Sequence, residues 1–122
     1  MVFGRRKNHE KWIIDFEKEY GIMIVTPQDK IDSYMERLKL IKGKGMPFQE
    51  ASQWVAIGDQ YRKMGSLLYA KKAYQASLDA VEKVDISKET FRHAQEKNEF
   101  ENAVQVLKNE LLEKLKDLDS DS

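Results

Sequence analysis

Glu89, His93 and Glu96 lie at i, i+4 and i+7, a spacing that on a helix puts two carboxylates and an imidazole on one face. Such donors could hold a divalent transition metal if another element completed the ligand set. The chain has only two histidines, His9 and His93, and no second histidine motif supplies the missing ligands. A solvated charged face with an i, i+4 pair accounts for the same residues. Cysteine is absent, which removes disulfides, thiolate zinc sites, cysteine nucleophiles and iron–sulfur clusters together. Gly43-Lys44-Gly45 is too short for a phosphate-cradling loop and lacks its Ser or Thr partner. No nucleophile elbow is present. The expectation is a protein that is not an enzyme, with no cofactor and no metal.

A second chemistry would be nucleic-acid binding. Lys plus Arg and Asp plus Glu both count 21, so the net charge is zero and no strong overall field exists to attract phosphate. The balance is uneven along the chain. Residues 1–48 hold ten basic against seven acidic side chains, while 49–122 hold eleven against fourteen. Arg5, Arg6, Lys7, Lys11, Arg37, Lys39, Lys42 and Lys44 all fall in the first part, with Phe3 and Trp12 near enough to stack on bases. Interspersed acids, and the lack of a known docking helix, make this the alternative function rather than the leading one.

The elements that would position these residues read as helices. Hydrophobic residues make up 41% of the 122 residues, enough for one domain with a core, and only two prolines and six glycines interrupt it. Residues 1–7 read as a flexible basic arm. Residues 8–20 form a short amphipathic helix with Trp12, Ile13, Phe16 and Tyr20 as one stripe, ended by Gly21. Residues 21–25 are β-prone and fit either a short extended segment or an apolar linker. Thr26-Pro27-Gln28-Asp29 starts a helix reaching about Lys42. Pro47 starts the next, Gly65 stops it, and Ser66 opens another. A short helix from Asp85 or Ser87, containing Ile86, Thr90, Phe91 and Ala94, should end at Asn98. A last helix should then run to Leu118, with a disordered acidic tail over 119–122. Thus 8–46 supplies N-terminal helices and 47–118 helical hairpins, in one domain. No signal peptide or spanning segment is legible, so a cytoplasmic protein with no membrane association is expected.

The later helices are related. At an offset of 33 residues, Gly65 falls on Asn98, Leu67 on Phe100, Ala70 on Ala103, Tyr74 on Leu107 and Leu78 on Leu111. The sequence Trp54-x-x-Ile57-Gly58-x-x-Tyr61, then Gly65, then Ala70, Tyr74 and Ser77, resembles the tetratricopeptide-repeat family over residues 51–84. A degenerate second unit covers about 84–117, where Ser87 and Phe91 take the places of Trp54 and Gly58. The fold class expected is therefore all-α, with antiparallel hairpins like those of the family packed on the N-terminal helices. Gly58 and Ala70 should allow close helix approach.

That resemblance implies a protein-interaction module: an adaptor, inhibitor or chaperone-like regulator that docks a partner protein or peptide segment. Carried over by place, its groove would present Ser52, Val55, Asp59 and Arg62 from the first unit. The second unit would add Asp85, Lys88, Arg92 and Gln95. Val55 and Asp59 stand where the carboxylate-gripping subgroup has Lys and Asn, so chaperone-tail recognition is not expected. Leu107, Leu111, Leu115 and Leu118 recur at near-heptad spacing. They read either as the inner face of the last helix or as the seam of a homodimer through it.

Overall fold

A computed structural model describes residues 11–21 and 23–121. It is all-helical. Among the described residues the order is α1 (Lys11–Tyr20), α2 (Pro27–Ile41), α3 (Pro47–Lys63), α4 (Leu67–Glu82), a 3₁₀ turn (Ile86–Lys88) and α5 (Ala94–Asp121). Met23–Val25 join no ladder, so this stretch is a linker and not a strand. The flexible arm expected over 1–7 lies outside the described residues.

Local chemistry sets the helix ends. Thr26 Oγ1 accepts from the Asp29 N–H at 3.2 Å and Asp29 Oδ2 accepts from the Thr26 N–H at 2.9 Å, a reciprocal capping box at the start of α2. Gly65 sits at φ 76°, where a Cβ would be strained, and its turn lets α4 reverse directly on α3.

The α3–α4 hairpin is the centre of the molecule. Gly58 and Ala70 bring its helices together: a Cβ on Gly58 would stand 2.5 and 2.6 Å from the Tyr74 ring. Tyr74 and Ala70 are fully buried, and the Ser77 hydroxyl donates to the Ala51 carbonyl at 2.6 Å across the same contact. One side of the hairpin packs on α2 through Ile31, Leu38, Ile57 and Ala73, with Trp54 and Tyr61 at the margin. The other packs on α5, where Val104, Leu107, Leu111 and Leu118 join Ala51, Ala70, Tyr74 and Val81. The leucines of the near-heptad pattern therefore build the core of this chain. Of the two readings of this pattern, the burial of Leu107, Leu111 and Leu118 matches the inner face of the last helix.

Two boundaries differ from the expectation. The short helix over 85–97 is reduced to the 3₁₀ turn, and Asn98 lies inside α5 instead of ending a helix. Asp85 explains the first part: its carboxylate accepts from the Ser87 N–H at 3.0 Å and from the Ser87 hydroxyl at 2.6 Å, closing a tight local turn that competes with a helix. The Phe91 ring then packs 5.7 Å from that of Phe100, holding the connection against α5. Asn98 is exposed, and its neighbours Gln95 and Glu99 pair at i, i+4 across 3.2 Å, so the helix passes through it. The end of the chain also differs. Helix α5 continues to Asp121, its last part held by buried Leu118 and a Lys71–Asp119 ion pair of 3.1 Å.

Candidate functional site

Ser52, Val55, Asp59 and Arg62 line one strip of α3, and all four are half-buried. Their spacing of three and four puts them on a single face. The Ser52 hydroxyl donates to the Phe48 carbonyl one turn back, at 3.0 Å. Val55 rests on the core that α5 covers. The Phe48 ring meets that of Phe100 edge-on at 5.4 Å, closing one end of the strip.

Asp59 is the polar centre. One of its oxygens, Oδ1, accepts from the Tyr74 hydroxyl at 2.6 Å and from Lys114 Nζ at 2.9 Å. Lys114 also faces Glu110 at 3.6 Å and lies 5.7 Å from the Tyr74 ring centroid. Helices α3, α4 and α5 thus meet on one carboxylate. Burial, and then the hydrogen bond to Asp59, push the Tyr74 phenol well above its ordinary 10.0, with Arg62 acting weakly the other way.

This shift fixes the sign of a pH effect. The folded state holds the phenolic proton more tightly than the unfolded chain does. The stability from Tyr74 is therefore complete below pH 10.0 and declines as pH rises past it. Unfolding by urea between about pH 8 and pH 11 should show a fall in stability that is smaller in Tyr74→Phe, the other tyrosines being common to both proteins. Equal slopes in the two would remove the phenol–carboxylate contact as a stabilising element.

The second set of expected groove residues is not gathered into a helix face. Asp85 caps the 3₁₀ turn, and the hydroxyl and N–H of Ser87 hold its carboxyl below the usual range. Lys88 ends that turn, Arg92 lies in the connection with its N–H donating to Glu96, and Gln95 opens α5. All four are exposed. With Asp85 holding a turn where a helix was expected, the opposing wall of the strip is α5 itself. Its charged side chains there are Lys114 and Glu110, which the repeat spacing did not indicate. Their i, i+4 Glu–Lys pairing was the available signal. Asp85 and Lys88 instead border a separate cavity of about 480 Å³ with Lys42, Glu50, Lys83 and Glu89.

Glu89, His93 and Glu96 are likewise divided between the turn, the connection and α5. Among the described residues no group of three or more His, Asp or Glu side chains could hold a metal ion. Nor is any helix among them long and apolar enough to cross a membrane. No protein-family model matches the chain, and no curated protein or solved structure matches it.

Proposed function

We propose that the protein is a protein-interaction module that docks a partner segment along the α3 strip, with Lys114 of α5 forming the opposite rim. The observation that carries this reading is the strip itself: four residues in register, half-buried, polar at Ser52, Asp59 and Arg62 and apolar at Val55. A partner side chain would be anchored over Val55, and the surrounding charges would select its neighbours. The resemblance of residues 51–84 to tetratricopeptide repeats supports the same use, since the strip occupies the places that face the groove in that family. A role as adaptor, inhibitor or chaperone-like regulator of one partner fits this surface.

Asp59 is unsuitable for the test because it also ties Tyr74 and Lys114. Ser52→Arg alters the strip while leaving the buried core residues and the contacts of Tyr74 in place. The full chain and this variant would each be used to capture partners from native lysate, with and without nuclease. The expected result is one protein retained by the parent chain and lost by the variant, with helicity and melting unchanged. Equal capture by both would overturn the strip as the docking surface. Loss of all capture on nuclease treatment would instead favour the nucleic-acid alternative.

A further inference from the structure

Helix α1 displays an apolar face that this fold does not bury. Trp12, Phe16 and Tyr20 are 61%, 41% and 60% exposed, and no residue of α1 is buried. The Phe16 and Tyr20 rings meet at 4.5 Å with a 39° tilt, so they form one joined aromatic surface. Elsewhere the chain carries a surface of the opposite kind. Met35 and Leu38 of α2 and Trp54 of α3 line an apolar groove of about 410 Å³, bordered by Lys39, Lys42 and Glu36.

We propose that the α1 stripe of one copy seats in the Met35–Leu38–Trp54 groove of a second copy, and reciprocally, giving a two-fold dimer. Charge decides the occupant. At about 100° per residue, Glu17 and Glu19 fall on the two edges of the stripe, whereas Lys18 falls on the far side of the helix. An acidic-edged aromatic stripe complements a groove with two lysines and one glutamate on its rim. The same edges oppose an anionic membrane surface, which would meet Glu17 and Glu19 first.

Geometry separates a second copy from the same chain. The Ile24 N–H donates to Glu17 Oε2 at 2.6 Å, folding the linker over the last turns of α1. Tyr20, in the last turn of α1, is thereby kept near the start of α2 at Pro27, and the exposure of Trp12, Phe16 and Tyr20 leaves the stripe unseated in its own chain. The groove residues of α2 lie eight or more residues further on, about 12 Å or more along the helix axis at 1.5 Å per residue. A second molecule has no such tether. Each chain carries one stripe and one groove, so a reciprocal exchange between two copies leaves neither surface open.

Sedimentation equilibrium of the full chain across a concentration series tests this, with tryptophan fluorescence in parallel. Both tryptophans, Trp12 and Trp54, belong to the two mating surfaces. A reversible dimer whose formation shifts emission to the blue is expected. Phe16→Glu and Met35→Glu, both at exposed positions, should each weaken association by about tenfold or more without loss of helicity. Mixing these two variants should restore association in part, since together they retain one intact stripe and one intact groove. Glu19→Lys should weaken the dimer, and adding Lys39→Glu should recover it. A chain that stays monomeric, a dimer indifferent to both Phe16→Glu and Met35→Glu, or a concentration-independent blue shift from docking within one chain would each overturn the proposal. So would a monomer that binds vesicles of phosphatidylcholine and phosphatidylglycerol through Phe16. The α3 strip is untouched by these variants, so its capture experiment stands or fails separately.

Discussion

Replacing Gly58 by alanine should lower the unfolding free energy by about 1–3 kcal/mol, and leucine should cost more than alanine. A methyl at this position would stand 2.5 Å from Tyr74 Cε1, 2.6 Å from Cδ1 and 3.1 Å from Cζ. Relief would require the ring to move, and the ring is fully buried. Its hydroxyl is also fixed on Asp59, which is held in turn by Lys114. The alternative is for α3 and α4 to separate, which would loosen the Ser77 bond to the Ala51 carbonyl and open the contact with Ala70 and Ala73. Helix propensity acts in the opposite direction, since alanine favours the helix by about 1 kcal/mol over glycine. The clash must exceed that gain for the protein to be destabilised. Urea unfolding of the parent and Gly58→Ala proteins decides it. A neutral or stabilising result would mean that the hairpin is not held by this close approach.

The hairpin was legible because its determinants are local. Pro47 and Gly65 bound α3, Ala70 and Gly58 are small where two backbones approach, and Thr26 with Asp29 caps α2. Each acts within a turn or two of its own position. The region after α4 departs from the expectation for the opposite reason. Asn98 and the residues around Phe91 carry weak local preferences, and the outcome depends on competition between a helix and the Asp85–Ser87 turn, with the Phe91–Phe100 contact adding a tertiary term. The scattered placement of Asp85, Lys88, Arg92 and Gln95 follows from this. A repeat offset assigns the second wall to whichever residues lie 33 positions on, whereas the chain brings α5 across 55 residues to put Lys114 on Asp59. The four α3 residues, carried over by place from the repeat resemblance, share one face because their spacing of three and four follows helix periodicity.

The division of labour among the helices gives the two surfaces different characters. Helices α3, α4 and α5 share one core, so the α3 strip sits on the larger of the two core clusters and is suited to holding a fixed shape. Helix α1 contributes nothing to either core cluster. Its stripe can be altered without disturbing the hairpin, so Phe16→Glu should separate association from folding.

Leu111→Ala should destabilise the protein by about 2–5 kcal/mol, whereas Leu112→Ala should change stability by no more than about 0.5 kcal/mol. The two residues are adjacent and chemically identical, but Leu111 is fully buried and Leu112 is 56% exposed. Leu111 lies in the cluster that includes Tyr74, Ala70 and Val81, so truncation would leave a void beneath the hairpin instead of a gap that solvent fills. The pair therefore reads the rotation of α5 about its own axis. That rotation also sets where Lys114 points, since position 114 lies three residues from 111 and two from 112. If Leu112→Ala were the more damaging change, α5 would be turned with its leucines toward a partner, and Lys114 could not reach Asp59. The strip would then lose its second rim. If Leu111→Ala is the damaging one, the helix that seals the core is the same helix that completes the strip. Loosening α5 should in that case weaken partner docking along with stability, even though Leu111 itself touches no partner.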